Sequence, residues 1–403
     1  MYNGKLPEPL DGIRVLDIST VIAAPYGATL LGDFGAEVIK IEMPKVGDPL
    51  RYLGPYKDGE GLRWPGMSRN KKSLTLDLRS EEGKEILKKL VRKSDLIIEN
   101  FRTGTLEKWG IGYEDLKKIN PNLIMIRVTG YGQTGPYSNK AGYGTPATAF
   151  SGFTYLHGYK DRPPISPSFS LTDYVTGIYV AFAATLALYY RDCQQDGKGQ
   201  SVDISLYESM FRMMEFLIAE FDQTGKIKER SPGLSGHSAP AGNFLTKDDQ
   251  WVIIVTSSDK TFNRLAKAMN REDMLTDSRY YTNSVRLERF DEVNGVVAKW
   301  VKTKSKEELQ RILDENGVPI SAIYSIKDIL EDPQYQEREN IVEVKHPRFE
   351  KIKIPGITPK FSETPGTIRQ LAPELGEHTE EILKQLLDFD DESITHLKER
   401  GVI

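Results

Sequence analysis

The chain has 403 residues, more than a single hydrophobic core usually holds, so we expect one large domain and a smaller one. Its 54 basic and 58 acidic side chains give a formal net charge of −4, which argues against a dedicated nucleic-acid-binding protein. The only cysteine, Cys193, excludes an internal disulfide framework and a cysteine-based zinc site, so a reducing cytoplasm is the expected location.

The first 130 residues alternate between short β-branched runs and helical patterns. Before them, Met1 to Pro9 lacks a basic region followed by an apolar run, so no signal peptide is predicted. Strands are predicted at residues 13–18, 37–42, 73–78, 95–99 and 123–128, with helices at 25–33, 81–92 and 113–119. This alternation predicts right-handed crossovers and a doubly wound parallel sheet, which is a Rossmann-like α/β fold.

The composition changes after residue 130. A long ordered loop is predicted at 130–144, because it is rich in glycine, tyrosine and small polar residues. The next predicted elements are helices at 144–153, 173–191 and 206–223, a short strand at 201–204, and a linker or mobile loop at 226–242. Strands near 243–246 and 251–255 and helices at 260–269, 288–302 and 306–315 then predict a second, α+β domain, with Ser305 as the N-cap of the last helix. From about residue 341 the chain is β-rich, and from residue 375 it is helical.

One uncharged run, Tyr174 to Tyr190, invites comparison with a membrane span. It is shorter than the roughly 20 residues that a bilayer span needs. It also contains Thr176, Gly177 and Thr185. We therefore expect a core helix of a soluble protein and no contact with a membrane.

Familiar catalytic and cofactor motifs are absent from the sequence. The five histidines are far apart, and neither an H-E-x-x-H motif nor a Cys/His cluster occurs, so no metal site is predicted. No G-x-S-x-G nucleophile elbow occurs. The first strand–helix turn, Asp17 to Pro25, lacks G-x-G-x-x-G, which disfavours ordinary dinucleotide binding, although a helix N-terminus there can still bind a phosphate.

Cationic and aromatic residues lie near the ends of several predicted strands. They are Asn70-Lys71-Lys72 before the third strand, Asn100-Phe101 after the fourth, Lys108 beside Trp109, and Lys140 in the glycine-rich loop. Lysines on the loops of one sheet suit a polyphosphate, and an aromatic ring can stack on a base. Each charge taken alone is more typical of a solvated surface, so only their shared location indicates a site.

Asp173 begins the most apolar predicted helix in the chain. A carboxylate at a helix N-terminus is stabilised by the dipole and by free N–H groups, so a simple N-cap is one interpretation. The other is a semi-buried carboxylate nucleophile that forms an acyl-enzyme. The position alone leaves both interpretations open.

Six segments of the chain, taken in order, resemble the class III CoA-transferases, the family of formyl-CoA:oxalate and carnitine CoA-transferases. Together they extend from residue 11 to residue 379, and their shared order makes the resemblance specific. The segments are Asp11 to Asp17, Gly32 to Glu42, Asn70 to Asp77, Glu99-Asn100-Phe101, Gly197 to Asp203, and Leu375-Gly376-Glu377-His378-Thr379.

The resemblance implies a large CoA-binding α/β domain, to which both termini contribute, and a smaller α+β domain. Residues 1–225 and 341–403 would form the large domain, and residues 226–340 the small one. The resemblance also implies a homodimer whose two subunits are interlinked like links of a chain. Coenzyme A and acyl-CoA would be substrates, and no tightly bound cofactor is expected.

The resemblance also assigns site residues. In this family an aspartate that follows a small-residue stretch is the nucleophile, and Ser170 to Gly177 matches that setting, which identifies Asp173. The implied reaction moves CoA from an acyl-CoA donor to a free carboxylic acid through an aspartyl–acyl anhydride and an aspartyl-CoA thioester. The CoA contacts carry over to Val21, Ile22, Ala23, Asn70, Lys71, Lys72, Asn100, Phe101, Lys108, Trp109 and Lys140.

The chain departs from the family at several positions. Ile22 stands where some members have a glutamine near the acyl group, and Met43 and Lys108 each replace an arginine of some members. The glycine-rich lid of formyl-CoA transferases is represented only by Gly233 and Gly236. These departures are compatible with CoA binding, but they do not indicate formate or oxalate as substrates.

Two alternatives remain at this stage. The superfamily includes 2-methylacyl-CoA racemases, which need two bases, typically the aspartate and a histidine in a Gly-His-Asp triplet. This chain has Gly142-Tyr143-Gly144 at that place, and a phenol, with an ordinary pKa near 10, is a poor base. Transfer is therefore favoured over racemisation. A CoA-binding subunit without turnover is the second alternative.

Overall fold

The computed structural model describes residues 8–231, 233 and 236–403. The prediction that the chain has no signal peptide rests mainly on residues 1–7, which lie outside the described residues. Residues 232, 234 and 235 of the predicted loop at 226–242 also lie outside them. Within the described part, the chain divides into two compact units. The larger contains residues 8–154, 166–227 and 339–403, and the smaller contains residues 155–165 and 228–338.

The larger unit is built on a six-stranded parallel sheet, so the predicted α/β fold with a parallel sheet is confirmed. Its spatial order is β3-β2-β1-β4-β5-β6. The order reverses between β1 and β4, and the carboxyl edge at such a switch point is where open α/β sheets bind ligands. The strands are β1 (Arg14–Asp17), β2 (Glu37–Glu42), β3 (Lys71–Thr75), β4 (Leu96–Glu99), β5 (Ile124–Thr129) and β6 (Ser201–Ser205).

Helices cover both faces of this sheet because successive side chains on each strand point to opposite sides. On β1, Val15 packs towards α1 and α8, whereas Leu16 packs towards α3 and the C-terminal helices. The helices of this part are α1 (Ala23–Asp33), α2 (Trp64–Met67), α3 (Glu81–Val91), α4 (Thr105–Lys108), α5 (Tyr113–Ile119), α6 (Gly144–Phe150), α8 (Leu171–Cys193), α9 (Leu206–Phe211) and α10 (Glu215–Thr224). The short helix α7 (Phe153–Leu156) contains residues of both units. Short pieces complete it: a 3-10 turn at Pro49–Tyr52, a hairpin of Tyr56–Lys57 with Glu60–Gly61, and a 3-10 turn at Arg212–Met214.

Three sequence predictions need correction here. The third strand begins at Lys71 and not at residue 73, because the Lys71 side chain turns inward and is neutralised by Asp17. The predicted helix at 206–223 is broken by the 3-10 turn between α9 and α10. Helix α8 begins at Leu171 with Ser170 as its N-cap residue, so Asp173 is the third helical residue and the simple N-cap interpretation is wrong.

Helices α1 and α8 approach each other unusually closely. A Cβ atom on Gly27 would lie 2.4 Å from Val180 Cγ1, and one on Gly177 would lie 2.8 Å from the carbonyl oxygen of Ala23. Glycine is therefore required at both positions of this crossing. The contact brings the start of α1, at the switch point, next to the first turns of α8.

Helix α8 is long and apolar enough to cross a membrane by length and composition alone, which is weak evidence because core helices of soluble proteins pass the same test. One of its faces, including Thr176, Val180 and Ala184, is buried in the larger unit. The opposite face is exposed and apolar, with Ile178 and Phe182 each 57% exposed.

The smaller unit is an α+β structure with its own core. Its antiparallel sheet has the order β9-β8-β7, and helices α11, α14 and α15 pack on it through Phe262, Val297 and Leu309. Ser305 caps α15 as predicted, since its side chain accepts from the Glu308 N–H. The elements are β7 (Ala241–Leu245), β8 (Trp251–Val255), α11 (Asp259–Ala268), α12 (Asp273–Thr276), α13 (Asn283–Glu288), α14 (Phe290–Val301), α15 (Lys306–Glu315), β9 (Ile320–Ala322), α16 (Ile326–Glu331) and α17 (Pro333–Glu337).

The last segment belongs to the larger unit. A hairpin of β10 (Ile341–His346) and β11 (Glu350–Pro355) leads through an extended stretch to α18 (Thr379–Leu387) and α19 (Asp391–Glu399). Ile382 and Leu383 of α18 complete the core on the α3 side of the sheet.

Candidate active site

The loops after β1 and β4 are joined across the switch point by a pair of amide hydrogen bonds. The Thr20 N–H donates to Asn100 Oδ1, and Asn100 Nδ2 donates to the Thr20 carbonyl, both at 2.8 Å. The loop residues Val21 and Ile22 then lead into α1. Four of the predicted contact residues (Val21, Ile22, Ala23 and Asn100) are thus brought to one edge of the sheet.

A cavity opens beside these loops, at the carboxyl ends of the first four strands. Phe101 and Trp109 contribute aromatic rings whose centroids are 5.3 Å apart in an edge-to-face arrangement. Met43, which replaces an arginine of some family members, also lines the cavity. The combination of two aromatic rings with polar side chains around them suits a nucleotide.

The sequence analysis missed one residue of this cavity, Arg79. It follows β3, lines the same cavity as Phe101 and Trp109, and is exposed. Within the described residues its guanidinium group has no ion-pair partner. The predicted strand end at residue 78 placed Arg79 directly after a strand, so a search for cations at carboxyl ends of strands would have found it.

The predicted cluster Asn70-Lys71-Lys72 is occupied by protein partners. Asn70 Nδ2 donates to Asp33 Oδ1 at 2.9 Å and to the Thr367 carbonyl at 2.8 Å. Lys71 is fully buried, and its Nζ lies 2.8 Å from Asp17 Oδ2. Lys72 Nζ pairs with Glu381 at 2.8 Å and with Glu37 at 3.4 Å. These side chains are therefore not free cations in this structure.

The two remaining predicted lysines, Lys108 and Lys140, are both exposed. Lys108 ends the short helix α4 and immediately precedes Trp109. Lys140 Nζ lies 3.5 Å from the centre of the Tyr137 ring. Both ammonium groups are without a carboxylate partner in the described part of the chain, so both charges are available.

Asp173 lies in the first turn of α8, packed against the start of α6. A Cβ on Gly144 would lie 2.1 Å from Asp173 Oδ2, so the carboxylate occupies the place of the side chain that Gly144 lacks. The neighbouring Thr172 and Thr148 share a hydrogen bond of 2.5 Å, which ties the two helices together at this point. The backbone of Gly144 therefore bounds the carboxylate on the α6 side.

Burial raises the pKa of Asp173 to about 6, while its own backbone N–H opposes the shift. No cation and no other side chain in the described residues neutralises this carboxylate. A carboxylate without a cationic partner in a partly dry site keeps its electron density and is a better nucleophile than a solvated one. The site can thus attack an electrophilic carbonyl.

Tyr143 immediately precedes Gly144, at the place where racemases carry a histidine. Its side chain is 73% exposed and lies outside the core. With a phenol here, this position supplies no imidazole to act as a second base.

Tyr174, the residue after Asp173, is influenced electrostatically by Arg63. Tyr174 packs edge-to-face on Tyr26, with ring centroids 5.0 Å apart, and joins a small apolar cluster of Ile22, Leu50 and Trp64. Arg63, next to Trp64, donates from Nε to the Gly54 carbonyl at 2.7 Å. Burial raises the pKa of the Tyr174 phenol, and the charge of the Arg63 guanidinium opposes that shift.

Arg63 differs from the other partly buried arginines of the larger unit. Arg51, Arg69, Arg127, Arg191 and Arg369 each pair with a carboxylate. Arg63 has no such partner among the described residues. Its charge is therefore free to pair with an anion that enters the cluster.

Comparison with known proteins identifies the family of the chain. The model of a family described as CoA-transferase family III matches residues 10–379. Succinyl-CoA--D-citramalate CoA-transferase of Chloroflexus aurantiacus is 41% identical over 404 residues, which is 100% of both chains. The beta subunit of succinyl-CoA--L-malate CoA-transferase of the same organism is 45% identical over 399 residues, 98% of each chain.

More distant similarities extend to a human protein and to a solved structure. Succinyl-CoA:glutarate CoA-transferase of Homo sapiens is 32% identical over 397 residues, which is 98% of this chain and 90% of that protein. The crystal structure of a CAIB/BAIF family protein from Brucella suis superposes with a TM-score of 0.83 at 31% identity, over 94% of this chain and 100% of that one.

Proposed function

The chain belongs to CoA-transferase family III and is a class III CoA-transferase, and from this we propose that it moves CoA to a free carboxylic acid by covalent catalysis on Asp173. The observation that carries the proposal is the uncompensated carboxylate of Asp173, packed on Gly144 with a pKa of about 6. At neutral pH most of this group is ionised and ready to attack.

The reaction begins when the Asp173 carboxylate attacks the thioester carbonyl of the donor. The C–S bond breaks, giving an aspartyl–acyl anhydride and CoA thiolate. The thiolate then attacks the aspartyl carbonyl, which releases the donor acid and leaves an aspartyl-CoA thioester. Backbone N–H groups at the start of α8 stabilise the oxyanions that form in these steps.

The acceptor completes the cycle by the reverse sequence. Its carboxylate attacks the aspartyl-CoA thioester, expelling CoA thiolate and forming a second anhydride. The thiolate attacks the acceptor's acyl carbon, which yields the new acyl-CoA and frees Asp173. Every step exchanges one acyl bond for another, so no oxidant, metal or external energy source is needed. No group of metal ligands occurs among the described residues either.

We propose that acyl-CoA binds along the carboxyl edge at the switch point of the larger unit. Val21, Ile22, Ala23 and Asn100 would contact the pantetheine part, and Phe101, Trp109 and Arg79 the nucleotide. The cavity that these aromatic residues and Arg79 share supports this arrangement. Binding energy from the nucleotide then holds the thioester against Asp173.

The substrate class that we propose is short dicarboxylic acids and their CoA thioesters. The named relatives act on succinyl-CoA together with citramalate, malate or glutarate. Arg63 supports the same class here, because a second carboxylate on the substrate would neutralise its unpaired charge. A panel of acyl-CoA donors and mono- or dicarboxylic acceptors tests this assignment.

A second copy of the chain is the partner that we propose for the exposed apolar face of α8. Ile178, Phe182, Leu186 and Tyr189 form a stripe along that face, and all four are more than half exposed. An interlinked homodimer would bury such a stripe permanently. Dilution to nanomolar concentration should then leave the dimer mass unchanged, and a reversible monomer would contradict the architecture.

Cys193, an exposed thiol, fits our further proposal that the enzyme works in the reducing cytoplasm.

Trapping of the covalent intermediate tests the role of Asp173. The enzyme is incubated with succinyl-CoA and then treated with hydroxylamine or borohydride, which modify an aspartyl thioester. Peptide mass spectrometry should find the modification on Asp173, and Asp173→Asn should abolish both labelling and transfer. Asp203→Asn is the matched control, because Asp203 is another carboxyl of the larger unit whose pKa is raised by burial. Labelling of another acid would overturn the assignment.

A further inference from the structure

Four charged side chains are buried together behind the loop that follows β1. They are Asp17, Lys40, Asp48 and Lys71, and at most 1% of each residue is exposed. Lys40 Nζ lies 2.9 Å from Asp48 Oδ2 and 3.7 Å from Asp17 Oδ1, and Lys71 Nζ lies 2.8 Å from Asp17 Oδ2. Two positive charges thus face two negative ones. A buried ion pair rarely stabilises a fold more than apolar side chains of similar volume would. Stability alone therefore does not explain why these charges are buried.

The loop in front of this group contains a strained residue. Val21 has a φ of +70°, a left-handed conformation that is a genuine outlier for a β-branched side chain. Its N–H donates to both oxygens of Asp48, at 3.0 Å and 3.3 Å. Asp48 also accepts from the Leu50 N–H at 2.8 Å, so the carboxylate is itself held in place. Strain of this kind persists only where the surroundings enforce it.

The other end of the loop is held by the same charges. The Lys40 ammonium group donates to the Ser19 carbonyl, and the Ser19 N–H and hydroxyl group both donate to Asp17 Oδ1. The Lys40–Asp48 pair therefore contacts the loop backbone on either side of Thr20. The same ion pair therefore holds both Ser19 and Val21.

The strained turn decides how α1 begins. Its N-cap residue, Ile22, has no side-chain oxygen to cap the helix, and its side chain packs with Leu50 and Trp64. The N–H groups of Ala23 and Ala24 consequently have no acceptor within the described residues. Unpaired donors at a helix start attract an anion or an oxygen dipole.

We infer that Lys40 and Asp48 are positioning residues for the transfer reaction: their buried ion pair holds Val21 left-handed and so aims the free N–H groups of Ala23 and Ala24 at bound acyl-CoA. This inference rests on the proposed binding of acyl-CoA at the switch point. Both side chains are almost fully buried where they border the cavity of Phe101 and Trp109, and the role inferred for them is exerted through the backbone of Val21.

Asp48→Asn tests the inference, since it keeps the shape and removes the charge. We expect the KM for succinyl-CoA and the Kd for free CoA to rise about tenfold, with a smaller change in kcat. The matched control is Asp95→Asn, which breaks a partly buried ion pair with Arg191 of 2.9 Å at the amino end of β4. It should lower the melting temperature without changing either constant. Equal changes in both variants would identify a merely structural role.

Two further variants keep the test decisive if Asn at position 48 unfolds the protein. Lys40→Met combined with Asp48→Leu removes both charges at once, which apolar packing tolerates, yet the anchor of Val21 is still lost. Stability should therefore recover while the KM remains high. In a protein that already carries Val21→Gly, Asp48→Asn should raise the KM by less than about threefold, because glycine adopts a positive φ without strain. An undiminished effect there would overturn the inference.

Direct CoA binding separates this inference from the proposed function. If the wild-type protein binds no CoA, the proposed function fails and takes the inference with it. If the wild type binds CoA and Asp48→Asn binds it equally well, the positioning role alone is wrong.

Discussion

The carboxylate of Asp173 fills the space that a side chain on Gly144 would need, with Oδ2 only 2.1 Å from where that Cβ atom would stand. The proposed nucleophile is thus located by the absence of a side chain on a neighbouring helix. Since both groups sit in first turns of helices, a small displacement of either one moves the reacting oxygen.

Gly144→Ala should therefore inactivate the enzyme while leaving it folded. The new methyl group would force the carboxylate out of its place, and a misplacement of about 1 Å costs on the order of 100-fold in rate. Steady-state kinetics should show the loss in kcat, with CoA affinity nearly unchanged. Gly295→Ala is the matched control, because a Cβ there meets nothing within 4 Å and glycine inside α14 is not required. Normal kcat in Gly144→Ala would contradict the geometry.

The pH dependence of kcat/KM should follow the ionisation of Asp173. Burial raises its pKa to about 6, and only the ionised form attacks. The value of kcat/KM should therefore be flat at neutral pH and fall about tenfold per pH unit below about pH 6. Asp203→Asn should leave the profile unchanged. A midpoint near the ordinary aspartate pKa of 3.8 would mean that the carboxylate is solvated in the working enzyme.

The same shift predicts a change in stability. A carboxyl whose folded pKa lies above its unfolded value favours folding at low pH and loses that contribution as pH rises from 3.8 through about 6. Above that window the ionised Asp173 costs up to about 3 kcal/mol, given about 1.4 kcal/mol per pKa unit. Asp173→Asn should raise the free energy of unfolding by up to that amount at about pH 8 and by little at about pH 4. A gain that does not depend on pH would exclude this cause.

Arg79→Met should weaken binding of the nucleotide part of CoA. We expect the KM for succinyl-CoA to rise about tenfold with kcat little changed, since the contact is made equally in ground and transition states. The control is a substrate: a succinyl-pantetheine thioester has no nucleotide, so wild type and variant should use it equally well. A similar defect with both thioesters would place Arg79 outside the nucleotide site.

Arg63→Met should change which acids serve as acceptors. A charge-assisted contact to a second carboxylate is lost, so kcat/KM for succinate should fall by about 10-fold to 100-fold. The value for butyrate, which has the same length and one carboxylate, should fall far less. Arg79→Met should leave the succinate-to-butyrate ratio at the wild-type value. An unchanged ratio in Arg63→Met would remove this residue from acid recognition.

The fold of the larger unit was largely accessible from the sequence because strand and helix signals are local. Gly35, which follows α1 with a φ of +108°, ends that helix by backbone chemistry that its neighbours do not alter. In the smaller unit Ser305 marks the start of α15 in the same local way. The predicted start of the third strand was wrong because the burial of Lys71 depends on Asp17, which is 54 residues away in sequence. Charge pairing over such a separation leaves no local pattern.

The candidate site was accessible only in part. Asp173 could be singled out because a carboxylate heading an apolar helix is visible in the sequence. The role of Gly144 could not, since its contact with Asp173 depends on how α6 and α8 pack. Arg63 was not singled out either. Whether an arginine has a carboxylate partner depends on the tertiary structure, so the sequence does not reveal an unpaired one.

The crossing of α1 and α8 has a consequence for how new substrates can be accommodated. At Gly27 and Gly177 the two helices meet with no side chain that could be trimmed or enlarged. The proposed acyl site therefore cannot be reshaped by sliding one helix over the other. Any change in its shape must come from the side chains of the bordering loops, such as Ile22 and Arg63. Substitutions there can change specificity while the distance between the first loop and Asp173 stays constant.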